Sequence, residues 1–183
     1  GLGSQFKAYF HLISWDYSED YSDGFWVTAG DSRSRTDPTW TAEDIATSVD
    51  GAFSVFAADM DNDGDMDIVS ASADDSTIAW YKNNGASNPS WSPEDIDTDA
   101  ISAQSVFVAD LDNDGDLDVI SASEEDNTIA WYENNNGDGS SWTAADIATS
   151  AENASYVFAA DIDNDGDMDI VSASAGDDTI AWY

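Results

Sequence analysis

The chain has 183 residues, of which 39 are acidic and only 4 are Lys or Arg, so its formal net charge is −35 at pH 7. Apolar residues make up 42% of it, with 8 Trp, 7 Tyr and 7 Phe, which is too much for a disordered acidic tail. No basic patch could neutralise phosphates, so we expect neither nucleic acid nor anionic membrane as a partner. The chain has no Cys and no apolar run of about 18 residues, which excludes thiolate metal sites and predicts no membrane insertion.

Residues 1–39 are the least regular part of the chain. Leu12–Ser14 and Phe25–Val27 resemble two strand-like segments of the later repeats, but no acidic loop accompanies them. We predict a degenerate N-terminal blade that acts as a cap or as a strand-exchange segment. His11, the only His, lies here, and we expect an ordinary packed or exposed side chain rather than a general base.

From residue 40 onward the sequence repeats with a fixed spacing of 51 residues, in units 40–90, 91–141 and 142–183. In the first unit a Trp-led segment (40–45) is followed by segment 54–58, an acidic loop, and segments 67–72 and 77–81. All four segments are short, rich in Val, Ile, Phe, Trp and Thr, and separated by turn residues, so each predicts a strand. We expect the equivalent Trp residues of the three units to fill the cores between sheets: Trp40, Trp91, Trp142, Trp80, Trp131 and Trp182.

Four strands per repeat predict an all-β fold built from β-propeller-type blades of four antiparallel strands. Three blades are clear and the N-terminal one is degenerate. Two closures remain open: a four-bladed ring, or an open arc that a neighbouring chain completes. In the second case bare strand edges would recruit other chains, which predicts a homo-oligomer or polymer formed by β-strand complementation.

Each unit carries a nine-residue acidic loop: residues 59–67, 110–118 and 161–169. Five carboxylates within nine residues repel one another unless a cation lies among them. Alternate Asp side chains, with a main-chain carbonyl at the seventh position and a sharp turn at the sixth-position Gly, can surround one hard cation with oxygen. The predicted metal ligands are Asp59, Asp61, Asp63, Asp65, Asp67, Asp110, Asp112, Asp114, Asp116, Asp118, Asp161, Asp163, Asp165, Asp167 and Asp169.

Among common cations, Ca²⁺ fits these loops best, because it accepts six to eight oxygen ligands in flexible geometry. Mg²⁺ requires a tight octahedron, and Zn²⁺ prefers His or Cys ligands. An EF-hand would need a bidentate Glu at the twelfth position, where this chain has Ser70, Ser121 and Ser172. The residues that follow each loop also favour strands rather than a helix. We therefore predict three Ca²⁺ sites in loops between strands.

The loop pattern Asp-x-Asp-x-Asp-Gly-x-x-Asp, followed by Ile-Val-Ser-Ala-Ser and Ile-Ala-Trp-Tyr, resembles the FG-GAP/VCBS class of β-propeller repeats found in integrin α-subunit heads. The resemblance covers residues 40–183. It implies one Ca²⁺ in each loop, held by the five aspartates, and an extracellular or cell-surface location. Rings of this class commonly have seven blades, whereas this chain has three clear ones.

No constellation of catalytic residues is visible, so we expect a protein that is not an enzyme. The first hypothesis is an extracellular structural or adhesion protein that calcium stabilises and that associates with itself or with other surface proteins. The alternative is a lectin-like module that binds glycans. Its candidate contacts are the turns 83–84 and 134–136 and the rings of Tyr81 and Tyr132, although ordinary turn and core roles are favoured for them.

Overall fold

The computed structural model describes residues 40–183, and residues 43–183 form one compact unit. The predictions for residues 1–39, including the degenerate blade and His11, lie outside the described residues. Between residues 40 and 183 all regular secondary structure is β-strand. That part of the chain contains no helix with the length and hydropathy needed to cross a lipid bilayer.

The strands form three antiparallel sheets in which each strand pairs with the next one along the chain. They are β1 (Ala52–Ala58), β2 (Asp67–Ser72), β3 (Thr77–Asn83), β4 (Trp91–Asp97), β5 (Ala103–Ala109), β6 (Asp118–Ser123), β7 (Thr128–Asn134), β8 (Trp142–Ala148), β9 (Ala154–Ala160), β10 (Asp169–Ser174) and β11 (Thr179–Trp182). The first sheet contains β1–β4, the second β5–β8 and the third β9–β11. The predicted all-β fold of repeated antiparallel sheets is confirmed. Within the described residues these sheets are open and do not close into a ring.

In the first and second sheets the Trp-led segment forms the last strand. β4 pairs with β3, and β8 pairs with β7, in the same register. The predicted strand at residues 40–45 is wrong: this segment has no strand, and Trp40 is 90% exposed. Its two counterparts become strands by pairing with the strand that precedes them, and for residues 40–45 that stretch lies outside the described part of the chain.

The first strand of each sheet packs against the first strand of the next sheet. Phe56, Phe107 and Phe158 occupy equivalent positions, and their ring centroids are 4.9 and 4.6 Å apart along the series. Two side-chain hydrogen bonds repeat with the same spacing. The Val106 amide donates to Ser54 Oγ, and the Val157 amide donates to Ser105 Oγ, both at 3.3 Å. The three sheets therefore share one repeated packing, which places their loops at equivalent positions.

A buried asparagine joins the second sheet to the first acidic loop. The Nδ2 of Asn134 donates to the Met60 carbonyl at 3.2 Å, and its Oδ1 accepts the Gly139 amide at 3.0 Å. The Asn134 side chain is fully buried, so water cannot reach its amide group, and these two bonds supply the partners that it needs. Because each acidic loop joins the first strand of its sheet to the second, all three loops lie at the same end of the packed sheets.

Candidate cation-binding loops

A left-handed backbone shapes each acidic loop. The sixth-position residues Gly64, Gly115 and Gly166 have φ of 95°, 96° and 100°, a region that strongly favours glycine. Their amides donate to the first Asp of the loop: Gly64 to Asp59 at 2.9 Å, Gly115 to Asp110 at 3.1 Å, and Gly166 to Asp161 at 3.2 Å. The sequence Asp-x-Asp-x-Asp-Gly thus folds back on its first carboxylate.

The last Asp of each loop fastens the loop to the sheet. Asp67 accepts the Met60 amide at 3.2 Å and the Asn83 amide at 2.7 Å. Asp118 makes the equivalent bonds with Leu111 and Asn134, at 3.2 and 2.9 Å. Asp67 and Asp118 are almost fully buried. Two carboxylates are therefore held at the bottom of the loops by backbone donors.

The pKa values of the last aspartates of the second and third loops shift in opposite directions. Desolvation raises the pKa of Asp118, although the amides of Asn134 and Leu111 oppose the shift. The more exposed Asp169 has a lowered pKa, because the Ile162 amide and then the Trp182 indole stabilise its charged form. In the third loop, desolvation and the neighbouring Asp165 carboxylate raise the pKa of Asp163.

Each loop brings three carboxylates together, with one oxygen of each lying within 4.8 Å of the others. The first and third positions of the loop contribute in every case. The groups are Asp59, Asp61 and Asp67; Asp110, Asp112 and Asp114; and Asp161, Asp163 and Asp169. This is an oxygen-only donor set, the kind that hard divalent cations prefer.

Two of these carboxylates have a buried oxygen with no hydrogen-bond partner within the described residues. They are Asp61 Oδ1 in the first loop and Asp110 Oδ1 in the second. The Asp61 side chain is only 3% exposed. A buried carboxylate oxygen without a donor is costly, and a bound cation removes that cost. The two oxygens are therefore suited to ligate a metal ion.

The predicted ligands at the seventh position have other neighbours. The Asp65 and Asp116 carboxylates lie against Gly85 and Gly137, in the turns that follow β3 and β7. Asp167 accepts a 3.0 Å hydrogen bond from Asn113 of the second loop. These carboxylates are outside the three groups above, which agrees with a contribution from the main-chain carbonyl at this position. Asp63, Asp118 and Asp165 also lie outside the groups, and their role as ligands stays a prediction.

The aromatic residues considered for glycan stacking are not accessible. Tyr81 is 7% exposed and Tyr132 is 1% exposed, and Tyr132 packs into the core between the first two sheets. The Tyr132 hydroxyl donates to Asp97 Oδ2 at 2.8 Å, and burial raises its pKa well above the usual range. The Asn84 Oδ1 accepts the Ser90 amide at 3.0 Å and so stabilises its own turn. The suggestion that Tyr81 and Tyr132 form an exposed platform is wrong.

One residue next to the first loop escaped sequence reasoning. Lys82, near the end of β3, contacts the Asp61 carboxylate. It is the only Lys or Arg between residues 40 and 183. That isolation is the signal that could have drawn attention to it.

The comparison with known families agrees with this geometry. The sequence profile of the FG-GAP-like repeat matches residues 59–121 and 110–172, which together make up more than half of the chain. Each match begins at the first Asp of one acidic loop and extends beyond the end of the next. The comparison with curated proteins returned no match.

Proposed function

We propose, since the chain belongs to the FG-GAP-like repeat family, that it is a non-catalytic structural or adhesion protein whose packed sheets are stabilised by calcium. The observation that carries the calcium proposal is the buried Asp61 Oδ1, which has no partner in the described residues and belongs to a carboxylate grouped with those of Asp59 and Asp67. FG-GAP-like repeats are typical of extracellular proteins, and an extracellular or cell-surface location would supply calcium at millimolar concentration.

Calcium is favoured over other cations by the donor set. Every group contains carboxylate oxygens alone, which disfavours zinc. The left-handed backbone at Gly64 turns the loop so that several oxygens face one point, and Ca²⁺ tolerates the irregular geometry that results. In this role the aspartates neutralise and hold an ion, and none is assigned a catalytic step.

We also propose that the chain associates with copies of itself by strand addition. In the first two sheets a Trp-led strand covers the third strand, whereas the outer edge of β11 pairs with no strand among the described residues. The exposed segment Trp40–Ile45 has nearly the same sequence as residues 142–147 of β8. It therefore has the sequence of the strand that covers the equivalent edge in the second sheet.

The oligomeric state in solution tests the proposed self-association. We expect the molar mass of the 183-residue chain in millimolar calcium, measured by light scattering after size-exclusion chromatography, to exceed the 19.6 kDa of one chain. Excess peptide of residues 40–48 should return it to the monomer value by capping β11, whereas a scrambled peptide should not. A mass of one chain both with calcium and after chelation would contradict self-association.

A further inference from the structure

The first acidic loop contains a positive charge supplied by the protein itself. The ammonium group of Lys82 contacts the Asp61 carboxylate and lies 3.7 Å from Asp63 Oδ2. It also lies 5.8 Å from the centroid of the Trp80 ring. The only basic side chain between residues 40 and 183 is thus placed among the carboxylates of one loop.

The second loop has the opposite charge at the same place in the fold. Lys82 pairs with Ser92 across β3 and β4, and Glu133 pairs with Thr143 across β7 and β8. The two positions are 51 residues apart, which is the spacing of the repeat. The backbone therefore presents a carboxylate residue at the second loop where it presents an ammonium residue at the first.

We propose, on the basis of the calcium function proposed above, that Lys82 is an internal competitor of calcium in the first loop and that the loops bind calcium with graded affinity. The ammonium neutralises part of the carboxylate charge and occupies space beside Asp61, so an incoming ion must displace it. Glu133 has no such effect on the second loop. The second loop therefore fills at lower calcium concentration than the first.

The local geometry allows calcium to displace the Lys82 ammonium from Asp61. The Asp61 side chain is buried and its Oδ1 has no hydrogen-bond partner within the described residues, so one oxygen remains available to the ion while Lys82 contacts the other. Lys82 is 40% exposed, so its ammonium can move into water. The face of the Trp80 ring offers it a second favourable neighbour. One positive charge about 4 Å from a bound divalent ion changes its affinity by about tenfold or more even at the dielectric of bulk water.

Three loop glycines provide a separate reporter for each site. The amides of Gly64, Gly115 and Gly166 donate to the first Asp of their own loops. Their NMR resonances can be followed while calcium is withdrawn stepwise from the loaded chain with a chelator. Withdrawal from saturation keeps the other loops filled while the weakest one empties. The variants are Lys82→Met, which removes the charge, Lys82→Arg, which keeps it, and Glu133→Lys.

We expect the Gly64 amide to change at higher free calcium than the Gly115 amide in the natural chain. Lys82→Met should lower the Gly64 midpoint by about tenfold, and Lys82→Arg should leave it nearly unchanged. Glu133→Lys should raise the Gly115 midpoint, while Gly166 stays constant in every variant. Equal midpoints for Gly64 and Gly115, unaltered by Lys82→Met, would overturn the role of Lys82 but leave the calcium function intact. If no glycine amide responds to calcium, both proposals fail.

Discussion

Chelation of calcium with EDTA is expected to lower the melting temperature of the chain by about 8–16 °C. A ligand present at ten times its dissociation constant stabilises the folded state by about 1.4 kcal/mol per site, so three sites contribute about 4 kcal/mol. For a chain of this size, each kcal/mol corresponds to about 2–4 °C. The loss is large because total stability is only about 5–15 kcal/mol, and because chelation leaves crowded carboxylates unscreened. Scanning calorimetry with and without EDTA measures it.

The matched control neutralises one ligand in each loop. Asp61, Asp112 and Asp163 occupy the third position and belong to the three carboxylate groups. The triple variant D61N/D112N/D163N keeps the size of these side chains and removes three negative charges. We expect its melting temperature to be insensitive to EDTA and to exceed that of the natural chain in EDTA. A natural chain that melts at the same temperature in both conditions would contradict the stabilising role of calcium.

The second large effect is expected from a core tryptophan. Trp80 is 1% exposed and packs into the core between the first and second sheets, whereas Trp182, at the equivalent position of the third sheet, is 58% exposed. Trp80→Ala leaves a large cavity and should cost about 3–5 kcal/mol, or about 6–20 °C in melting temperature. Trp182→Ala removes the same side chain from an exposed position, together with its bond to Asp169, and should cost only about 1 kcal/mol in saturating calcium.

Denaturant unfolding of both variants in saturating calcium separates this packing effect from metal binding. Equal losses in the free energy of unfolding for the two variants would show that the core between the first two sheets does not stabilise their packing. A smaller loss for Trp80→Ala than for Trp182→Ala would contradict the packing described here outright.

The strands and loops could be predicted because their causes are local. The order of apolar segments and turns fixes the strands, and the sixth-position Gly64, with its φ of 95°, supplies the sharp turn that the loop needs. Repetition then strengthened each signal, because the same residues recur at a spacing of 51. The family resemblance rested on the same residues and is confirmed.

The features that sequence reasoning missed depend on which elements become neighbours. Tyr81 and Tyr132 lie on strands that are apolar on both faces, so the pattern alone does not show that their rings are buried. The contact of Lys82 with Asp61 needs the end of β3 to lie beside the loop between β1 and β2. Residues 40–45 have the composition of a strand, but a strand also needs a partner to pair with.

The number of calcium ions bound per chain is the most direct test of the central claim that carboxylate loops hold the ions that stabilise these sheets. Equilibrium dialysis against millimolar free calcium, followed by elemental analysis, measures it. We expect three ions per natural chain and none for the D61N/D112N/D163N variant at the same concentration. A natural chain that retains no calcium, or a triple variant that retains as much as the natural chain, would contradict the claim.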